Sequence, residues 1–175
     1  MRSFVAAVPL SLFALGIAVV LAVVLSPAVA RRLRAPRVVA ALLLFGFGLV
    51  MAATLVPDAA ALEGVVSDGV CDLSRIGLAP LEELTRVTFT SLNVLLFVPL
   101  GLAVGLLPRT RSAAVVTLAA VSLTFVVEGI QLVVTVLGRG CQSADIFDNL
   151  LGLAIGMVLG VLVRLLASRV SQPQA

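Results

Sequence analysis

Residues 113–137 read AAVVTLAAVSLTFVVEGIQLVVTVL, and this stretch decides the fold class. Glu128 is its one ionisable side chain. As an α-helix the stretch would be about 37 Å long, because each residue adds about 1.5 Å. An apolar helix of about 20 residues is long enough to cross the hydrocarbon core of a bilayer. We therefore interpret residues 113–137 as a transmembrane helix.

Further apolar segments of similar length lie elsewhere in the chain, at about 4–25, 38–56, 88–107 and 148–166. Proline or glycine stands in the connections between the segments, where helices end. The chain is 61% hydrophobic and 12% charged, which excludes an ordinary soluble domain and a disordered chain. The sequence predicts an all-α integral membrane bundle of about five transmembrane helices. Within the one long connection, residues 81–87 predict a short interfacial helix.

The composition also limits the chemistry. The chain has no His and two Cys, which excludes His-ligated metal or haem and leaves too few thiolates for a zinc or iron–sulfur site of four Cys. We therefore expect no cofactor and no metal. The basic residues are all Arg, and the net charge is +3. This charge is too small and too scattered for a nucleic-acid-binding surface, so no nucleic acid is expected as a partner.

The arginines predict the orientation of the bundle. One side of the predicted bundle carries Arg31, Arg32, Arg34, Arg37, Arg109, Arg111, Arg164 and Arg169. The other side carries Arg2, Arg75, Arg86 and Arg139 together with Asp58, Glu63, Asp68, Asp72, Glu82, Glu83, Asp145 and Asp148. Short loops rich in Arg stay on the cytoplasmic side. The sequence therefore predicts an N-terminus outside and a C-terminus in the cytoplasm.

This orientation divides the chain into three parts. Residues 1–35 would form an N-terminal transmembrane helix and a basic cytoplasmic loop, residues 36–168 the main transmembrane domain, and residues 169–175 a cytoplasmic tail. An alternative is a cleavable signal peptide that ends at Ala28-Val29-Ala30. Cleavage there would leave four spans and turn the arginine-rich loops outward, against the charge rule.

The two cysteines test the orientation independently. Cys71 follows the second predicted span and Cys141 follows the fourth, so both lie on the predicted outer side. Disulfides persist in oxidising compartments outside the cytoplasm. We expect a Cys71–Cys141 disulfide, and the alternative is two unpaired thiols on the same side.

Polar residues within the spans need a physical explanation, because lipid does not solvate them. Thr124, Glu128, Gln131 and Thr135 follow the i, i+4, i+7, i+11 spacing of one helix face. This face must contact protein or water. It is either a structural hydrogen-bond cluster between helices or part of a functional site.

Two other spans carry stripes of small residues that begin with a polar side chain. The stripes repeat every four residues as Asn93, Phe97, Gly101, Gly105 and as Asp148, Gly152, Gly156, Gly160. Such stripes let helix backbones approach closely, so the two spans are expected to pack in parallel.

The predicted topology brings these polar groups to one level near the outer side. The candidate ligand-binding residues are Arg86, Asn93, Glu128, Gln131, Arg139, Asp145, Asp148 and Asn149. A pocket with guanidinium and carboxylate groups fits a polar head that carries both a phosphate and hydrogen-bond donors. The alternative is that Arg86 and Arg139 only neutralise Asp145 and Glu128.

These residues resemble a known pattern. Asn93-x-x-x-Phe97-x-Pro99-x-Gly101 is similar to a hallmark of the VanZ-like membrane family, and Glu128-x-x-Gln131 is similar to another. A third resemblance is Arg139 followed by Asp145-x-x-x-Asn149-x-x-Gly152. The resemblance covers about residues 36–166. Gln142 departs from it, since many relatives have an acid there, and so does the additional acid Asp148.

The resemblance implies a small, multi-pass protein of the bacterial cell membrane. The family's founding member lowers sensitivity to teicoplanin, a lipid-tailed glycopeptide, which implies a role in the cell envelope or in antibiotic resistance. The first hypothesis is therefore binding of a membrane lipid head group or a lipidated glycopeptide in the outer-leaflet pocket, without catalysis.

Two alternatives stay open. The chain could be an enzyme that modifies a lipid-linked envelope precursor, with Glu128 as general acid or base and Asp145 as the second carboxylate. It could also be a structural bundle that binds another membrane protein or forms a homo-oligomer.

Overall fold

The computed structural model describes residues 2–57 and 59–170 of the chain. Met1, Asp58 and residues 171–175 of the predicted tail lie outside the described residues. The helices are α1 (Arg2–Leu33), α2 (Arg37–Thr54), α3 (Ala59–Leu62), α4 (Leu81–Thr85), α5 (Phe89–Leu106), α6 (Arg111–Val133) and α7 (Ser143–Val170). Within this part of the chain, α1, α2, α5, α6 and α7 are long and apolar enough to cross a membrane. The predicted all-α membrane bundle is confirmed, and α4 lies in the predicted interfacial segment.

Side-chain caps explain where two of the spans begin. The Thr88 side chain accepts the backbone N–H of Ser91, and the Ser91 hydroxyl accepts the N–H of Thr88, a reciprocal pair that starts α5. In the same way the Thr110 side chain accepts the N–H of Ala113 at the start of α6. These caps satisfy backbone donors that a helix N-terminus leaves without partners.

Some span boundaries differ from the prediction. The fourth span ends at Val133 instead of residue 137, because Val134 leaves helical geometry and a 3₁₀ turn, Thr135–Leu137, follows and ends at Gly138 with φ 69°. The fifth span begins at Ser143, five residues before the predicted Asp148. Asp148 can lie inside the helix because its side chain is buried and pairs with Arg75.

The first span is longer than predicted. Helix α1 continues through Ser26-Pro27 and through Ala28-Val29-Ala30 to Leu33. The hydroxyl of Ser26 donates to the carbonyl of Val23 within the same helix and accepts a hydrogen bond from the Arg37 side chain at the start of α2. This short connection holds α1 and α2 together.

Helices α5 and α7 form the centre of the bundle. Gly152, Gly156 and Gly160 of α7 lie against the backbone of Val94, Val98 and Leu102 of α5. Both series advance by four residues, so the helices run in parallel. A Cβ atom at any of these glycines would overlap the neighbouring backbone. The predicted packing of the two small-residue stripes is confirmed.

The remaining spans surround this pair. Helix α2 reaches α5 through Gly46, which lies against the backbone of Leu100. Helix α1 packs on α2, where Gly48 meets Ala18. The hydrophobic core comprises Leu43, Val50, Phe97, Leu100, Ala103, Val104, Ala120, Leu123, Val127 and Leu153.

A small covalent clamp closes one end of the bundle. Strands β1 (Cys71–Asp72) and β2 (Cys141–Gln142) pair in parallel, with Cys71 opposite Cys141. The predicted Cys71–Cys141 disulfide is present. We call this end, where α2 and α6 finish and α5 and α7 begin, the disulfide end.

Hydrogen bonds fix the segment after Cys71 over the start of α7. The hydroxyl of Ser143 donates to the carbonyls of Asp72 and Arg75, at 3.2 and 2.8 Å. The backbone N–H of Ser74 donates to the Asp72 carboxylate, and this hydrogen bond lowers the pKa of Asp72. The segment is thus held at both ends.

Candidate functional site

A cavity of about 490 Å³ lies at the disulfide end of the bundle, between α2, α5, α6 and α7. The charged and amide side chains on its wall are Asn93, Glu128, Gln131, Arg139, Asp145 and Asn149. The structure therefore brings together six of the eight predicted ligand-binding residues, from three helices and one loop.

Helix α6 supplies two buried polar groups. Glu128 is 3% exposed, and its Oε2 accepts the backbone N–H of Gln142 at 2.8 Å. Gln131 donates from its side-chain amide to the carbonyl of Thr54, the last residue of α2, at 3.1 Å. Thr124 on the same face is fully buried. Three residues of the predicted polar face are therefore buried against protein, whereas the fourth, Thr135, lies beyond α6 in the 3₁₀ turn.

The start of α7 supplies a carboxylate and an amide one turn apart. Asp145 and Asn149 both line the cavity, and Asp145 lies within interaction range of Asn93 and Arg139. Asn149 is 2% exposed, and its Oδ1 has no hydrogen-bond partner in residues 2–57 and 59–170. An amide oxygen buried in this way is costly unless something donates to it.

Arg139 reaches the cavity from the loop after α6. It follows Gly138, whose left-handed backbone ends the 3₁₀ turn and redirects the chain. The Arg139 side chain is half-buried, and its Nε has no acceptor within the described part of the chain. The cavity thus contains an unpaired donor as well as an unpaired acceptor.

Asp148 does not line the cavity. Its Oδ2 lies 2.5 Å from Nη2 of Arg75, and Asp148 is fully buried. The same guanidinium donates from Nη1 to the carbonyl of Gly77. The sequence places Arg75 only on the outer side and does not predict this pairing. The predicted disulfide was the available signal, because it places residues just after Cys71 beside the start of α7.

Arg86 also lies outside the cavity. It pairs at 2.6 Å with Glu82, one turn earlier, and the two side chains are 72% and 71% exposed. Arg86 has extended backbone geometry between α4 and α5, which directs it away from the bundle. The structure therefore does not bring Arg86 to the other predicted residues. Arg86 does not neutralise Glu128 or Asp145.

One wall of the cavity is apolar and open. Phe89, Leu92 and Leu95 of α5 line it, and all three are exposed, Leu95 by 62%. They belong to a helix that is long and apolar enough to cross a membrane. The cavity therefore combines buried polar side chains with an exposed apolar wall.

Comparison with protein families gave one decisive result. A family description, VanZ/LLP1, matches residues 13–164, which is most of the chain. The chain belongs to the VanZ/LLP1 family. The matched segment contains every polar residue of the cavity. Comparisons with curated proteins and with solved structures gave no match.

The cavity of this VanZ-family protein is suited to binding a polar group. It offers two carboxylates, three amides and one guanidinium. Across the described residues, no three His, Cys, Asp or Glu side chains are grouped so that they could hold a metal ion. The chemistry that these groups provide is hydrogen bonding, charge pairing and, at the carboxylates, proton transfer.

Proposed function

We propose that this VanZ-family protein binds the head group of a membrane lipid in the cavity between α2, α5, α6 and α7. The observation that carries the proposal is the polarity gradient of the cavity, from Glu128 and Asn149 inside to Leu92 and Leu95 at the lipid-facing wall. A lipid has the same gradient, with a polar head and apolar chains. The volume of about 490 Å³ lies in the usual range of small-ligand sites.

The size of the cavity favours a head group over a glycopeptide antibiotic. A glycosylated heptapeptide is much larger than this volume, so most of it would lie outside the cavity. Its acyl tail alone would leave the polar residues without partners. We therefore place any role in cell-envelope or teicoplanin resistance downstream of lipid binding. The protein would act in the bacterial cell membrane, with the disulfide end at the outer leaflet.

A second candidate function is catalysis on a lipid-linked envelope precursor. Glu128, Asp145 and Arg139 line the same cavity. Glu128 would transfer a proton, Asp145 would be the second carboxylate, and Arg139 would stabilise developing negative charge. The two functions share a ligand class and differ in whether the head group changes.

Mass spectrometry of the lipid that co-purifies with the full chain tests binding. Arg139→Gln removes the cation of the cavity, and Arg86→Gln removes an exposed arginine at the same end as a matched control. We expect lipid retention to fall about tenfold or more in Arg139→Gln and to stay at the wild-type level in Arg86→Gln. Equal retention in all three proteins would contradict the proposal.

A further inference from the structure

We infer that the cavity selects a zwitterionic head group, which carries a primary ammonium beside its phosphate, over an anionic head group of similar size. This inference rests on the proposed function, because it names the class of lipid that the same cavity takes. It is carried by the ionisable groups that face the cavity and by two buried polar atoms that have no hydrogen-bond partner among the described residues.

Acidic side chains outnumber basic ones on the cavity wall. Glu128 and Asp145 line it, and Arg139 is the one arginine on it among the described residues. Arg75 and Arg86 do not line the cavity: Arg75 pairs with Asp148, and Arg86 is exposed and pairs with Glu82. Two carboxylates therefore face one guanidinium. An anionic head group would bring its negative charge beside these two acids, whereas the ammonium of a zwitterionic head group would pair with them.

The two unpaired atoms need different hydrogen-bond partners. The buried Nε–H of Arg139 needs an acceptor, and a phosphate oxygen is a strong one. The Oδ1 of Asn149, on a residue that is 2% exposed, needs a donor. An anionic phosphate supplies acceptors only. A phosphate and an ammonium in one head group supply both.

The number of donors distinguishes between cationic head groups. A primary ammonium has three N–H donors, which match Asn149 Oδ1 and the carboxylates of Glu128 and Asp145. A trimethylammonium carries the same charge but has no N–H. The cavity is therefore expected to prefer phosphatidylethanolamine to phosphatidylcholine as well as to phosphatidylglycerol.

A titration followed by native mass spectrometry tests the inference. The full chain is titrated with dioctanoyl phosphatidylethanolamine, phosphatidylcholine and phosphatidylglycerol, and with glycerophosphoethanolamine, which has the head group without acyl chains. We expect phosphatidylethanolamine to bind about tenfold more tightly than each of the other three. Equal binding of glycerophosphoethanolamine would overturn the assignment to a lipid and support a soluble ligand.

Variants connect the preference to named side chains. Asp145→Asn removes one negative charge and should reduce the preference over phosphatidylglycerol to about threefold or less. Asn149→Ala removes the unpaired acceptor and should reduce the preference over phosphatidylcholine. Glu82→Gln, at an exposed residue outside the cavity, should change neither. If Asp145→Asn does not fold, Glu128→Gln is the second variant, since its amide oxygen can still accept the Gln142 N–H.

The outcomes separate the inference from the proposed function. Tighter binding of phosphatidylglycerol that is lost in Arg139→Gln would overturn the zwitterionic preference and leave lipid binding in the cavity intact. Equal binding of all lipids that Arg139→Gln does not change would contradict the proposed function itself.

Discussion

At the scale of single residues, Glu128 shows how this bundle holds a carboxylate in a membrane-spanning helix. Its partner is the backbone N–H of Gln142, from the strand that the disulfide fixes. Because the contact uses the backbone, the exposed side chain of Gln142 is free to vary. An acidic side chain at residue 142, which the resemblance led us to expect, is therefore not needed to fix Glu128.

Substitution Glu128→Gln tests whether this group binds or catalyses. The amide oxygen can accept the same N–H, so we expect the free energy of unfolding to fall by about 1 kcal/mol or less. Retention of co-purified lipid should fall by about tenfold at most. Lipid extracts from cells that express the wild type or the variant should show the same head groups.

The result that would favour the enzyme is specific. A head group that appears with the wild-type protein and disappears with Glu128→Gln, at equal protein levels, would identify Glu128 as a catalytic acid or base. Glu82→Gln serves as the control, because Glu82 is exposed and lies outside the cavity.

At the scale of elements, the contact between α5 and α7 positions the site. Asn93 lies on α5 one residue before Val94, and Asn149 lies on α7 three residues before Gly152, which contacts Val94. The glycine contacts therefore fix how far Asn93 and Asn149 lie along the bundle, and so bring both amides to the cavity that Glu128 lines. A shift between these helices would separate the groups that line the cavity.

Substitution Gly156→Ala tests this contact. An added Cβ would overlap the carbonyl of Val98, so the helices must separate, and we expect a loss of about 1–3 kcal/mol in the free energy of unfolding. The matched control is Gly129→Ala on α6, because a Cβ there meets nothing within 4 Å. The control should be neutral or slightly stabilising, by about 1 kcal/mol at most. Unfolding followed in detergent measures both, and equal stability of the two variants would contradict the packing described.

Sequence periodicity predicted these elements because spans obey simple spacing rules. The four-residue repeats predicted the contact between α5 and α7. The polar face of α6 predicted that Glu128 and Gln131 point into the bundle. The positions of Arg75 and Arg86 were not predictable in the same way. Both lie in the long connection, where turns, the disulfide and partner charges decide the direction of a side chain.

At the scale of the whole molecule, the disulfide end is a closed unit. The disulfide joins Cys71 to Cys141, and the Arg75–Asp148 pair joins the segment after Cys71 to α7. The residue after Cys141, Gln142, donates its backbone N–H to Glu128 of α6. The connection after α2 is therefore tied to both helices that carry the carboxylates of the cavity. Covalent closure of a long loop stabilises the folded state by restricting the unfolded chain.

Loss of the disulfide should therefore affect both stability and the site. In the double variant Cys71→Ser, Cys141→Ser we expect the free energy of unfolding to fall by about 2–4 kcal/mol. Lipid retention should fall with it, because the N–H that holds Glu128 is no longer fixed. Unfolding and co-purified lipid measured on the same samples check this. Unchanged lipid retention in a destabilised protein would show that the disulfide is not needed for lipid binding.

The central claim is that a lipid head group occupies the cavity beside Arg139. The most direct test is the number of lipid molecules retained per chain after purification, counted by native mass spectrometry for the wild type, Arg139→Gln and Arg86→Gln. We expect about one lipid per chain in the wild type and in Arg86→Gln, and less than about a tenth of that in Arg139→Gln. The same count in all three proteins would contradict it.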